Sequence, residues 1–200
     1  RCATAIVDYA KALVPSIQAA PNAPVGEVAH LETYGASTFA PGDMVLCRNN
    51  APLVDLAYKL IQKGIPVQVK GRDIGEKLVT LIEDCVGTKV WEKIDGKNVP
   101  TVSVQWKTTQ QLVDALIQWK DTQIDAIRIE DADNETAVQS VLDRVDTVMV
   151  FIKACVDGQV TSVIKMINDM FSDRDSSEMV VFSSIHKSKG LEANRVFMYD

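Results

Sequence analysis

Between positions 184 and 192 the chain reads Ser-Ile-His-Lys-Ser-Lys-Gly-Leu-Glu. The hydroxyl of Ser184, the imidazole of His186, and the ammonium groups of Lys187 and Lys189 all donate to phosphate oxygens. Gly190 lets the main chain approach an anion closely, so the set suits a nucleic-acid backbone. Glu192 repels phosphate and fits instead as the acceptor for a hydroxyl. A second chemical residue is Arg48, directly after the apolar run Met44-Val45-Leu46-Cys47. At the carboxyl end of a strand its planar fork of donors can reach a phosphate. Taken singly, these residues leave plainer alternatives open: a solvated polar turn for 184–192, and an exposed salt-bridging arginine for Arg48.

Elements must hold these groups in place. Residues 179–182 and 195–199 are short runs of β-formers, so the polar block predicts a strand-to-strand crossing at a sheet edge, where open α/β sheets bind ligands. Upstream, Ile6, Tyr9, Ala10, Leu13, Val14 and Ile17 predict an amphipathic helix capped by Thr4 and ending near 15–19, its apolar face in a core. Residues 21–24 are a connector, and 27–34 alternate like a half-buried strand, with His30 in a structural role. The run 44–47 reads as a strand covered on both faces. Residues 49–52 then open a helix to Gly64, with Asn50 as its cap. A strand at 66–70, a turn at Gly71-Arg72 and a helix over 73–84 follow. Strand, helix, strand, helix with short joints is the grammar of a parallel sheet.

From residue 86 the texture changes. Residues 90–94 and 102–104, around Asp95-Gly96-Lys97, predict a hairpin, and apolar spacing predicts helices over 108–129, 135–156 and 160–171, with a polar loop at 172–177. Eight acids against two arginines between positions 121 and 146 make that face one that repels DNA. The net charge of −6 cuts against a generic DNA coat, so any nucleic-acid contact must be local. Four scattered cysteines without a Cys-x-x-Cys pair, and only two histidines, argue against a zinc site and for reduced thiols in the cytoplasm. There is no run of eighteen apolar residues and no signal-peptide pattern, so no membrane partner is expected. Neither end carries a natural start or stop, so the chain reads as a piece of something longer.

Ser-x-His-Lys-x-Lys-Gly-Leu-Glu at 184–192 resembles motif five of the UvrD/Rep-like helicases of superfamily one, Thr-x-His-x-x-Lys-Gly-Leu-Glu, with Ser184 keeping the threonine hydroxyl. Cys47-Arg48-x-Asn50 before a helix resembles their motif four, usually Tyr-Arg-x-Asn, and Arg1-Cys2 resembles the end of motif three. The resemblance implies a second RecA-like domain: a parallel sheet flanked by helices and interrupted by a mostly helical inserted subdomain. Residues 1–85 would form its first part, 86–175 the insertion, and 176–200 the return, ending before motif six.

It also implies an ATP-dependent DNA helicase or translocase in the parent chain. Arg48 would touch the γ-phosphate as an arginine finger does. Glu192 would bind the ribose hydroxyl, with Gly190 and Arg1 also at the nucleotide. Ser184, His186, Lys187, Lys189, Gly71 and Arg72 would contact single-stranded DNA or a duplex/single-strand junction. ATP with Mg²⁺ would be held mainly by an N-terminal RecA-like domain of the same parent, because no Gly-x-x-x-x-Gly-Lys-Ser/Thr loop exists here. The chain alone is therefore expected to be inactive. Cys47 stands where the family places a tyrosine against the adenine, which weakens the expectation of base stacking. A RecA-like nucleic-acid or protein binding module without catalysis, and the helicase part of a helicase-nuclease, are the other functions these residues allow.

Overall fold

Four short strands rich in apolar residues form the sheet, and their register decides which side chains share a face. The computed structural model describes residues 2–33, 35–95, 97–172 and 178–199. In chain order the elements are α1 (Thr4–Ala10), a 3-10 turn (Ala36–Thr38), β1 (Met44–Cys47), α2 (Asn50–Gln62), β2 (Val67–Val69), α3 (Arg72–Val86), β3 (Thr88–Ile94), β4 (Lys97–Ser103), α4 (Thr109–Glu130), α5 (Glu135–Ala154), α6 (Val160–Met170), β5 (Val180–Ser184) and β6 (Val196–Tyr199). The fold class is α/β: a four-stranded, wholly parallel sheet in the order β2-β5-β1-β6, flanked by helices, with β3 and β4 as a separate antiparallel hairpin.

Residues Phe39–Asp200 form one compact unit and Arg1–Thr38 another. In the larger unit Val69, Phe182, Val45 and Phe197 lie in one row across the sheet, on the side where the core gathers. Leu53, Leu56 and Leu60 of α2 fill that core together with Leu78 of α3 and Leu112 and Leu116 of α4. Phe151 of α5 and Ile167 of α6 complete it. The helices of the 86–175 block thus share one apolar interior with the sheet. The opposite sheet face is only partly covered, with Leu46 and Val181 half-buried and Met198 68% exposed. β1 itself is covered on both sides, as its uniform hydrophobicity predicts: Met44, Val45 and Cys47 are buried and Leu46 is half-buried, and the exposure falls on the edge strand β6.

Local chemistry fixes the element ends. Thr108 and Gln111 form a reciprocal capping box on α4, and the Asn134 side chain accepts from Ala137 N–H at 3.1 Å on α5. The expected hairpin is present, with full cross-strand pairing from Thr88↔Ser103 to Ile94↔Lys97. At α2 the cap is not the expected one. Asn49 holds the cap position without a side-chain bond, and Asn50 is the first helical residue. The Asp143 carboxylate of α5 fills the role, accepting from Asn50 N–H at 2.8 Å, Ala51 N–H at 3.0 Å and the Asn50 side-chain amide at 2.8 Å.

The first 38 residues depart most from their pattern. α1 stops at Ala10, and the chain continues through turns, Leu13 and Val14 N–H both donating to Ala10 O, up to Pro15, which has no N–H to carry a helix further. Leu13 and Val14 are consequently 89% and 50% exposed, and the only buried residue of α1 is Val7. Thr4 is not the cap: it is the first helical residue, and its hydroxyl donates to the Val25 carbonyl at 3.0 Å. The alternating segment at 27–33 forms no strand, since alternation makes a strand only where a neighbouring ladder exists. The preceding residues instead accept from the open N–H groups of α1, Thr4 N–H to Pro24 O at 2.8 Å and Ala5 N–H to Val25 O at 3.0 Å. His30 lies against Tyr9, ring centroids 6.1 Å apart.

Candidate functional site

Strand order brings the candidate residues together. β2, β5 and β1 are neighbours and parallel, so Val69, Ser184 and Cys47 all end at one edge of the sheet. With adjacent strands about 4.8 Å apart, the three following loops rise from an edge about 10 Å wide. Gly71 belongs to the first loop, with Arg72 already the first residue of α3 rather than part of a turn; His186 to Gly190 belong to the second loop and Arg48 to the third. The connections also diverge. β1 leads through α2 to β2, while β5 leads to β6 in the opposite direction along the sheet. The crevice of an open α/β sheet forms where neighbouring strands send their connections in opposite directions.

The middle loop is a tight structure. Ile185 N–H donates to Cys47 O at 3.1 Å, extending the β1–β5 ladder by one step, and Lys187 and Ser188 N–H both donate to Ser184 O at 3.0 Å. Ser188 Oγ donates to Ile185 O at 2.9 Å. Ser184 is buried, and its hydroxyl accepts the Lys187 N–H at 3.4 Å, so it shapes the loop from within. Gly190 has φ +88° with open space where a Cβ would stand. Gly71 has φ +127°, and a Cβ there would meet Ile74 Cδ1 at 2.7 Å, so glycine is required for α3 to start where it does.

The cations divide into two groups. Lys187 Nζ bonds Asp73 Oδ2 at 2.7 Å, tying the middle loop to the start of α3, and Arg72 Nε bonds Glu76 Oε1 at 3.1 Å. The Lys187 bond, against the opposing effect of burial, holds the Asp73 carboxyl below its ordinary value of 3.8. Arg48, Lys70 and Lys189 make no ion pair and no side-chain hydrogen bond with any described residue. Each of the three neighbouring strands is therefore followed by one such cation: Lys70 after β2, Lys189 after β5 and Arg48 after β1. Arg48 and Lys189 are exposed and Lys70 is half-buried.

Among the remaining candidates, Glu192 is exposed on the limb that returns from the middle loop to Arg195, whose carbonyl accepts Met44 N–H at the far edge of the sheet. Arg1 lies outside the described residues. Cys47 is 2% exposed in the core beneath the sheet, so its side chain takes no part in the edge. Burial and the nearby Asp84 push the Cys85 thiol up to about 11, and burial with a bond to Asp157 raises Cys155, so neither thiol is poised as a nucleophile. Among the described residues no group of three or more His, Cys, Asp or Glu is arranged for a metal ion, and no helix is long and apolar enough to cross a membrane.

A cavity of about 190 Å³ lies between α2, α3 and α5, lined by Asn50, Lys77, Asp143 and Arg144 among others. It is too small for a nucleotide. A second, more open cavity of about 580 Å³ lies between α2 and α5, lined by Asn49, Asp55, Asp143 and Lys153 among others. Sequence reasoning missed Lys70, Asp73 and Asp143. Lys70 was legible as a lysine at a strand end, whereas the two aspartates act on residues 114 and 93 positions away. No family model, no curated protein and no solved structure matches this chain.

Proposed function

We propose that this chain is the second RecA-like lobe of an ATP-driven motor on single-stranded nucleic acid, of the superfamily one helicase kind that motifs 47–50 and 184–192 resemble. The observation that carries the reading is the row of cations Lys70, Lys189 and Arg48 after three neighbouring parallel strands, at the point where the connections diverge. Such an edge favours anions by its charge. In this reading the 86–175 block is an insertion built onto the lobe rather than a body of its own.

Arg48 stands directly after a core strand, so its guanidinium is presented from a firm base. Its fork matches the oxygens of a terminal phosphate and stabilises charge that builds there during transfer. The phosphate cradle and Mg²⁺ chemistry are those of a partner lobe, since this chain has no glycine-rich phosphate loop. Lys189 and the main chain at Gly190 face the nucleic-acid backbone, with His186 beside them. Glu192, farther along the same segment, accepts the ribose hydroxyl, so one continuous stretch from 184 to 192 senses both ligands. Closing and opening of the two lobes then moves the strand.

The test is made in the parent chain carrying both lobes. Arg48→Ala lowers ATP turnover by about 10³ while leaving the melting curve in place. Lys189→Ala weakens single-strand binding and lowers the slope of log K against log salt by about 0.7. Turnover within a few-fold of normal in the first variant removes Arg48 from the phosphate, and an unaltered slope in the second removes Lys189 from the strand.

A further inference from the structure

The β3–β4 hairpin carries a surface that the sheet edge does not explain. Along β3, Lys89, Trp91 and Lys93 alternate onto one face, opposite Val102, Pro100 and Asn98 of β4. All six are exposed, Trp91 to 73%. The other face is the inward one, with Val90, Val99 and Thr101 half-buried. No acid stands on the outward face: Glu92 alternates to the other side, and Asp95 sits in the turn. Just past β4, Trp106 is 90% exposed and holds a left-handed backbone, φ +64°, that large side chains rarely adopt. Its turn is anchored on both sides rather than frayed. Val104 packs on the core, Lys107 N–H donates to Val104 O at 3.2 Å, and Lys107 O accepts Val160 N–H at 3.0 Å.

We infer that this hairpin face, with Trp106, is a stacking site for single-stranded nucleic acid. A tryptophan flanked on both sides by lysines two residues away combines a π-face for a base with ammonium groups for the phosphates beside it, the pairing that sequence-tolerant single-strand binders use. A protein partner fits less well, because lysine is depleted and apolar neighbours are gathered where a tryptophan anchors a protein interface. Charge agrees: the segment 88–107 carries four lysines against two acids in a chain of net charge −6. The site shares with the proposed function only the class of ligand, and it stands without ATP or a second lobe.

The experiment follows tryptophan fluorescence of the full chain during titration with a thymidine oligonucleotide of about 15 nucleotides. Trp119, half-buried under the Arg144 guanidinium at 5.3 Å, is the internal reference. The wild type is quenched on binding. Trp91→Ala removes its share of the quench and weakens binding about 5- to 100-fold, and Trp91→Ala with Trp106→Ala removes most of the quench. Lys89→Ala with Lys93→Ala lowers the salt slope by about 1.4. Because these side chains are exposed, melting curves stay unchanged, which separates lost binding from lost folding.

Unaltered affinity and quench in a Trp91→Ala, Trp106→Ala double variant overturns the inference. So does an equal quench by a polyglutamate peptide, which marks a simple polyanion or acidic-protein site. If Lys189→Ala abolishes binding while the hairpin variants bind normally, the hairpin inference fails and the sheet-edge reading stands. If the hairpin variants lose binding and Lys189→Ala does not, the outcome is the reverse.

Discussion

Lys187 reaches Asp73 at 2.7 Å, and the pair decides how much positive charge the 185–190 turn offers to a phosphate. Both side chains are 45% exposed, so the pair is worth about 0–1 kcal/mol and can reduce phosphate affinity by no more than about five-fold. Asp73→Asn removes the competing carboxylate and is expected to tighten single-strand binding about two- to five-fold at low salt, with the gain fading as salt screens the lysine. Oligonucleotide titrations at two salt concentrations measure this. Weaker binding in the variant would mean instead that the pair positions the turn. The wild-type pair persists through neutral and mildly acidic solution, because the Lys187 bond holds the Asp73 carboxyl below 3.8 and the pair opens only as pH falls through that lowered value.

At the scale of elements, the start of α2 depends on a residue from α5. Asp143 accepts two main-chain N–H groups and the Asn50 amide, so it supplies from a distance what a local cap would give. Asp143→Ala is expected to cost about 1–2 kcal/mol, and Asp143→Asn less, since an amide oxygen still accepts. The measurement is the midpoint of urea unfolding at unchanged m-value; an unmoved midpoint would mean that α2 finds other partners.

The same helix shows what sequence can carry. Leu53, Leu56 and Leu60 gave α2 its length and buried face through spacing alone, as did the stripes of α5 and α6. Val67, Val45 and Phe182 marked strands that lie parallel, as the strand–helix alternation requires. Arg48 and the 184–190 stretch were legible as chemistry because their residue types are unusual together. Asp143 was not, because a solvent-facing aspartate on an acidic helix looks like any other until the fold sets it against α2. The alternation at 27–34, whose Tyr34 lies outside the described residues, misled for a related reason: a strand is defined by a neighbour, and no described strand pairs with 27–33.

At the scale of the Phe39–Asp200 unit, the two edges of the sheet do different work. The edge at Val69, Ser184 and Cys47 carries the open cations, whereas the opposite edge is closed by an ion pair. Arg195 donates from Nε to Asp43 Oδ1 at 2.8 Å and from Nη2 to Asp43 Oδ2 at 2.5 Å, joining the residue before β6 to the residue before β1 across 152 positions. Asp43 is 4% exposed and also accepts Ala40 N–H at 2.6 Å. Burial works to raise the Asp43 carboxyl, but the Arg195 fork and the Ala40 N–H outweigh it, so the group titrates below its ordinary 3.8. A carboxyl depressed in the folded state stabilises the fold above its unfolded value, and that stabilisation is lost as pH falls through the folded one. The wild type should therefore melt above Asp43→Asn by a constant interval from neutrality down to about pH 5. The interval should then shrink as acid protonates Asp43, until the two curves meet. Melting temperatures of both proteins across pH 2–7 check this. Parallel decline over the whole range would mean that the pair adds nothing to acid sensitivity, and that β6 is held to β1 by its main-chain ladder alone.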